Sequence, residues 1–186
     1  MSGSASKPPR PSPAAREPVS RLHARRIVLR LLARRAYTEW ELSDRLRRRG
    51  CGAADAAAAL SELKRRGLLD DEATGALWAK SWRDRKRWGP LRIRAELRRR
   101  GIGRTLAERI LADLFPPDEA PALVEQAAAA LSRRPAFRRA AGSGARQARW
   151  LTMQLQRRGF PQEAIRRVVF NRCPSAKEDD KIGPHD

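Results

Sequence analysis

Arginine supplies the chemistry that this sequence has to offer. Three basic runs stand in matching places: Arg47-Arg48-Arg49 before Gly50, Arg98-Arg99-Arg100 before Gly101, and Arg157-Arg158 before Gly159. Each guanidinium is a permanent cation whose planar fork of donors matches a phosphate or a carboxylate. Lys64-Arg65-Arg66 before Gly67, and Arg83, Arg85, Lys86 and Arg87 before Gly89, raise the local charge further. This chemistry holds a polyanion; it does not make or break bonds. His23 and His185 lie close to the chain ends, no Ser/His/Asp or Cys/His arrangement is suggested, and no Gly-x-x-x-x-Gly-Lys-Ser/Thr loop is present to cradle a nucleotide. Asp70 and Asp71 read as helix caps. No catalytic residue is assigned, and the chain is not expected to be an enzyme.

The whole composition points the same way. Among 186 residues, 41 Lys and Arg face 21 Asp and Glu, a formal charge of +20 that favours nucleic acid or acidic protein surfaces. Base composition can account for part of the Arg and Ala richness but not for the shortage of acids. The competing explanation is a well-solvated helical surface. Cys51 and Cys173 are far apart, with no Cys-x-x-Cys or Cys/His cluster, so neither a metal site nor a cofactor is expected. Isolated thiols fit a reducing cytoplasm. No run of apolar residues is long enough to span a bilayer, and the N-terminus lacks the apolar core of a signal peptide. A monomeric, cytoplasmic protein without a membrane partner is expected.

The elements that carry the arginines repeat. An aliphatic residue and a Leu four positions later precede each basic run, as Leu42 and Leu46, Ile93 and Leu97, and Leu151 and Leu155. Ten residues after each Gly stands another aliphatic, Leu60, Leu111 or Val169. Such spacing describes helical units that bury a continuous core between neighbours. In the first unit Ile27, Val28, Leu31 and Leu32 mark a helix face. Thr38 followed by Glu41 is a capping-box signature for a second helix, and Ala56, Ala59, Leu60 and Leu63 define a third that stops near Gly67. In the second unit, Asp70 or Asp71 caps a helix bearing Trp78, Ala79 and Trp82. Gly89-Pro90 breaks it and starts the next, which carries Ile93 and Leu97. Leu106, Ile110, Leu111 and Leu114 follow before Pro116-Pro117. Counted back from Gly50 and Gly101, Ile27 matches Trp78, Leu31 matches Trp82 and Tyr37 matches Trp88. The third unit opens with Leu123, Ala127 and Leu131. It closes with Phe160, Ile165, Val168, Val169 and Phe170. Gly159 follows Gly101 by seven residues more than Gly101 follows Gly50, which fits an insertion near the Gly/Ser/Ala-rich stretch 138–145. That stretch reads equally as a hinge or an ordinary loop.

The expected fold is all-α: tandem three-helix repeats, in three modules, forming an elongated and curved array with disordered tails. The boundaries are residues 1–20 for a disordered tail, 21–67, 68–117 and 118–173 for the modules, and 174–186 for a second, mildly acidic tail. That last tail is a solubilising end, or else it shields a basic groove in cis.

Cations and a following Gly suit a helix C-terminus for structural reasons alone, because they complement the dipole and the free carbonyls. On a helical wheel Arg48, Arg99 and Arg157 point away from the Leu pair, whereas Arg49, Arg100 and Arg158 lie near it. The candidate contacts for a polyanionic partner are Arg47, Arg48, Lys64, Arg65, Arg66, Arg83, Arg87, Arg98, Arg99 and Arg157. Of the tryptophans, Trp78 and Trp82 have core spacing. Trp88 sits beside a turn and a basic run, Trp40 lies off the apolar stripe as the best candidate for an exposed aromatic, and Trp150 is ambiguous. Bases can stack on exposed aromatic rings.

The second module is specific enough to carry a family resemblance. Gly67-Leu68-Leu69-Asp70-Asp71, Trp78-Ala79, Trp88-Gly89-Pro90, Arg92-Ile93-Arg94, Glu96-Leu97 and Gly101-Ile102 together resemble the bacterial RecX regulatory protein family. Leu155-Gln156-Arg157-Arg158-Gly159-Phe160, with Glu163, Ile165 and Val168, is similar to that family's closing segment. The likeness covers residues 22–173. Departures are the long Pro/Ser/Arg N-terminal tail, the acidic-tipped C-terminal tail and the region around Gly142-Ser143-Gly144. The resemblance implies tandem three-helix repeats that bind filaments of the RecA recombinase and reduce its ATP hydrolysis, strand exchange and co-protease activity. It implies no catalytic residue. Two alternatives stand beside it. One is non-specific binding of single- or double-stranded DNA without a recombinase, in which Thr38 to Arg66 would pass for a helix-turn-helix pair. The other is a protein-only adaptor for a strongly acidic partner.

Overall fold

The computed structural model describes residues 20–139 and 143–173. The tails expected to be disordered, Ser20 apart, and Gly142 lie outside the described residues. Every regular element described is an α-helix: α1 (Arg21–Leu32), α2 (Glu39–Arg47), α3 (Ala53–Arg65), α4 (Asp71–Lys86), α5 (Pro90–Arg99), α6 (Arg104–Leu114), α7 (Ala120–Ser132), α8 (Pro135–Arg139), α9 (Gly144–Arg157) and α10 (Gln162–Arg172). The chain divides into two compact units, one ending at Leu69 and the other beginning at Asp70.

Helices α2 and α4 start where a side chain accepts one of the first free N–H groups. Thr38 Oγ1 accepts from the Glu41 N–H at 3.2 Å, and an Asp70 carboxylate oxygen accepts from the Ala73 N–H at 2.9 Å. Pro90 opens α5, where its missing N–H costs nothing. The repeated ends also have a common geometry. The N–H after the terminal glycine reaches back to the repeated Leu: Cys51 to Leu46, Ile102 to Leu97 and Phe160 to Leu155, at 3.1, 3.0 and 3.3 Å. The glycine N–H closes the tighter inner bond, so each end is a Schellman motif. Gly50, Gly101 and Gly159 take φ of +79°, +84° and +78°. The recurring Leu-x-x-x-Gly is thus one residue turning inward and one turning the chain left-handed. A further copy, Leu63 to Gly67 and Leu68, ends α3.

The first unit packs α1 and α2 against α3, with Ala24, Val28, Leu42, Leu46, Ala59, Leu60 and Leu63 buried. On α1 the fully buried residues are Ala24 and Val28; Ile27, Leu31 and Leu32 are partly buried at its edge. Within the second unit α4, α5 and α6 enclose Ala79, Trp82, Ile93, Leu97, Ala107, Ile110 and Leu111. The helices α7, α9 and α10 enclose a further cluster around Leu131, Leu151, Leu155 and Ile165. The fold class is therefore all-α with tandem three-helix packing.

Three assignments need correction in the last cluster. Val124, not Leu123, is the buried residue near the start of α7, because with Ala127, Ala128 and Leu131 it forms the i, i+3, i+4, i+7 stripe. On α10 Ile165 and Val168 are buried, while Val169 is only partly so and Phe170 is 59% exposed. The spacing of ten from glycine holds for Leu60 and Leu111 and slips by one residue here. Residues 135–139, at the edge of the stretch read as an insertion, form a helix of their own. Pro135 begins the short α8, and Phe137 packs edge-on against Trp150, ring centroids 5.7 Å apart.

Matched aromatics are matched in environment. The Arg35 guanidinium lies 3.6 Å from the Tyr37 ring centre, and Lys86, which occupies the equivalent place, lies 4.6 Å from that of Trp88. Trp78, Trp82 and Trp88 form a chain of ring contacts at 6.1 and 5.6 Å, with Trp82 buried. Trp40, off the stripe, is 54% exposed.

Candidate polyanion-binding surface

Among the sequence-derived candidates, nearby carboxylates decide which cations are available. Arg47 and Arg48 both bond Asp44 at 2.7 Å, and Arg99 bonds Glu96 at 2.6 Å. Lys64 pairs with Glu39 at 2.9 Å, Arg66 pairs with Glu62 at 2.8 Å, and Arg65 donates to Ser61 Oγ at 3.2 Å. These side chains remain largely exposed, and such surface pairs contribute about 0–1 kcal/mol each, so a partner can draw them away. Arg83 is bound more firmly: it pairs with Asp84 and donates to the Leu114 carbonyl at 3.0 Å, tying α4 to the end of α6. Arg98 and Arg157 are exposed, and their side chains make no ion pair among the described residues. Arg47, Arg48, Lys64, Arg65 and Arg66 lie in the first unit, and Arg83, Arg87, Arg98, Arg99 and Arg157 in the second. The Asp44 and Glu96 pairings were legible in the sequence, since both acids stand three or four residues before their arginines.

The pairings also set an acid limit on stability. Hydrogen bonding from Arg99 holds the Glu96 carboxyl below its ordinary range, against the opposing effect of burial. Hydrogen bonding from Arg21 does the same for Glu62, on which Arg25 and Arg66 also converge. A carboxyl whose folded pKa is lowered contributes stability above its unfolded pKa and loses it as pH falls through the folded value. The melting temperature should therefore be flat above about pH 5 and fall below about pH 4.3, the unfolded glutamate value. Glu96→Gln should make that acid slope shallower; an unchanged slope would remove Glu96 from the account. The thiols take no part near neutrality, because burial raises the pKa of both Cys51 and Cys173.

A denser group of cations lies where α4 ends, in the second unit. The chain must turn sharply between Lys86 and Pro90, and it does so through Arg87, the non-glycine residue with positive φ among those described, at +51°. A side chain in that conformation costs about 1–2 kcal/mol. The next residues carry the contact between two helix clusters. The Gly89 N–H donates to the Arg158 carbonyl at 2.6 Å, and the Leu91 N–H donates to the Gly159 carbonyl at 3.0 Å. The free N–H groups opening α5 thus satisfy the free carbonyls closing α9, and the positive end of one helix meets the negative end of the other. Arg92 adds a bond to the Arg157 carbonyl at 2.8 Å, with its guanidinium 4.1 Å from the Trp88 ring centre.

This junction gathers Arg87, Arg92 and Arg158, and α7 brings Arg134 beside them. The cleft of about 260 Å³ so formed is lined by Arg85, Lys86, Arg87, Arg134 and Arg158 over a floor of Ala127, Ala130 and Leu131. No carboxylate lines it among the described residues. Arg158 is partly buried and donates to the Gln154 carbonyl at 3.0 Å. Burial, then the charges of Arg134, Arg92 and Arg87, lower its pKa. Unlike Arg48 or Arg99, these cations repel one another, and an anion would relieve the repulsion. Of the residues singled out in the sequence as contacts, only Arg87 lines this cleft. Arg158 is passed over as a contact in the sequence because it lies near the Leu pair, and Arg92 and Arg134 are not singled out as contacts there; the three come from helix ends up to 71 residues from Arg87.

Comparison with known proteins gives a consistent result. Residues 24–63 match the family model described as RecX, first three-helix domain, and residues 70–111 match RecX, second three-helix domain. Regulatory protein RecX of Halorhodospira halophila is 37% identical over 166 residues, 87% of this chain and 92% of that protein. Regulatory protein RecX of Mycobacterium avium is 31% identical over 172 residues, 92% of this chain and 97% of its own. The crystal structure of RecX from Lactobacillus salivarius has the same fold, with a TM-score of 0.70 at 18% identity, covering 81% of this chain and 95% of that one.

Proposed function

Since the chain belongs to the RecX family, whose relatives above are named regulatory proteins, we propose that it is a non-enzymatic regulator that binds RecA–DNA filaments and inhibits RecA ATP hydrolysis, filament growth and strand exchange. The observation that carries this reading is the family membership over nearly the whole chain, together with cations offered by both units. A filament repeats both its protein surface and its nucleic-acid polyanion. A ligand with modules at 21–67, 68–117 and 118–173 can make several modest contacts at once, and linked contacts strengthen one another. It changes filament behaviour only by binding one filament state better than another. Arg47, Arg48, Lys64, Arg65, Arg66, Arg83, Arg87, Arg98, Arg99 and Arg157 are the proposed partner contacts. The protein acts as a cytoplasmic monomer and needs no cofactor. No helix among the described residues is long and apolar enough to cross a membrane.

The test is RecA ATPase on single-stranded DNA, with this protein added below stoichiometric ratio and the titration repeated in a large excess of DNA. Inhibition is expected to survive the excess. Inhibition that vanishes as DNA is added would show competition for DNA alone and replace this reading by that of a non-specific nucleic-acid-binding protein. Replacing Arg48, Arg99 and Arg157 together by Glu should leave helicity intact and weaken filament binding.

A further inference from the structure

The turn after α4 uses Arg where comparable helix ends use Gly. Gly50, Gly67, Gly101 and Gly159 take the left-handed conformation without strain, whereas Arg87 takes it with a side chain. Local packing does not require that side chain: Arg87 is exposed and makes no ion pair among the described residues. Arg87 lines the cleft that Arg134 and Arg158 also line, where the ends of α4, α7 and α9 converge. Backbone strain retained beside clustered like charges marks a site whose function outweighs its local cost.

We propose that the cleft walled by Arg87, Arg134 and Arg158 binds a backbone phosphate of a nucleic-acid strand. This site rests on the filament reading only for the polymer that would supply the phosphate. Its small volume, below the roughly 300–1,000 Å³ of pockets that enclose whole small molecules, suits one charged group projecting from a larger chain. Arg85 and Lys86 continue the positive charge along one rim, which suits a polymer bearing a full negative charge at every unit better than scattered carboxylates. The nearby Trp88 ring already carries Arg92 and Lys86, so binding through this cleft reads the backbone and not the base sequence.

Fluorescence anisotropy of the full chain with a labelled oligo(dT), measured without recombinase over a salt series, tests the site. Arg87→Gly keeps the left-handed turn and removes the cation; Arg134→Ala removes a second; Arg104→Ala, exposed at the start of α6 and outside the cleft, is the charge control. The Arg87→Gly/Arg134→Ala double variant should bind about tenfold more weakly, with the salt dependence of log affinity shallower by about 0.7 for each arginine removed. Arg87→Gly alone should raise the melting temperature by about 4 °C, as the strain is released. A residue held for structure would not combine a gain in stability with weaker binding. The site is overturned if the double variant loses no more affinity than Arg104→Ala. It is equally overturned if polyglutamate at equal charge displaces the protein as well as unlabelled oligo(dT) does. Because no recombinase is present, failure here leaves the filament assay standing, and failure of that assay leaves this site standing.

Discussion

Gly159→Ala should destabilise the second unit by about 3 kcal/mol or more, while Gly50→Ala should cost the first unit only about 1 kcal/mol. Both glycines end a helix with nearly the same φ, +78° and +79°, so the backbone strain of adding a side chain is alike. Their surroundings differ. A Cβ on Gly50 meets nothing within 4 Å, whereas one on Gly159 runs into the Arg92 backbone nitrogen and Cβ. Gly89 completes the same close approach from the other side, since a Cβ there would stand 2.5 Å from the Gly159 carbonyl oxygen. The substitution must therefore push the end of α9 off the start of α5 and break the bonds to Gly89 and Leu91 together. Denaturant unfolding of the two variants, followed by tryptophan emission, measures the difference. Equal destabilisation by Gly159→Ala and Gly50→Ala would show that close approach at the junction adds nothing.

The second large effect belongs to the tryptophans. Trp82→Ala should cost about 3–5 kcal/mol, the range for truncating a buried aromatic, because Trp82 is 8% exposed and touches the rings of both Trp78 and Trp88. Trp40→Ala should change stability by no more than about 0.5 kcal/mol, because Trp40 is 54% exposed. Guanidinium unfolding midpoints for the pair decide it. A cost below about 1 kcal/mol for Trp82→Ala, well under the range for a buried ring, would mean the ring cluster is not a core element. A large cost for Trp40→Ala would mean its exposed face packs against something in solution.

Helix identity, start and stop were legible in the amino-acid sequence because their causes are local. Thr38 and Asp70 cap within three residues, Pro90 sits at a first turn, and the recurring Leu and Gly close a helix end within five residues. The apolar stripes of α2, α3 and α5 follow from a period of 3.6, which placed Leu42, Leu46, Leu60, Leu63, Ile93 and Leu97 correctly in the core. The same rule misplaced Leu123 and Phe170, where several apolar residues stand side by side and only packing against neighbouring helices selects the buried ones. It passed over α8, whose five residues are too few to show a period.

The candidate surface divides along the same line. An all-helical, repeated and strongly cationic chain could be read from the residues alone, along with the arginines that sit at helix ends. Charge and helix termination are properties of short segments. Which of those cations share a cleft depends instead on packing between distant helices. Arg87, Arg92, Arg134 and Arg158 meet because the carbonyls ending α9 bond the N–H groups opening α5, and because α7 lies beside them. A hydrogen bond between residues about 70 positions apart leaves no periodic trace in the chain. It requires glycine at 89 for clearance that a neighbouring helix imposes, and at 159 for that clearance as well as for the positive φ.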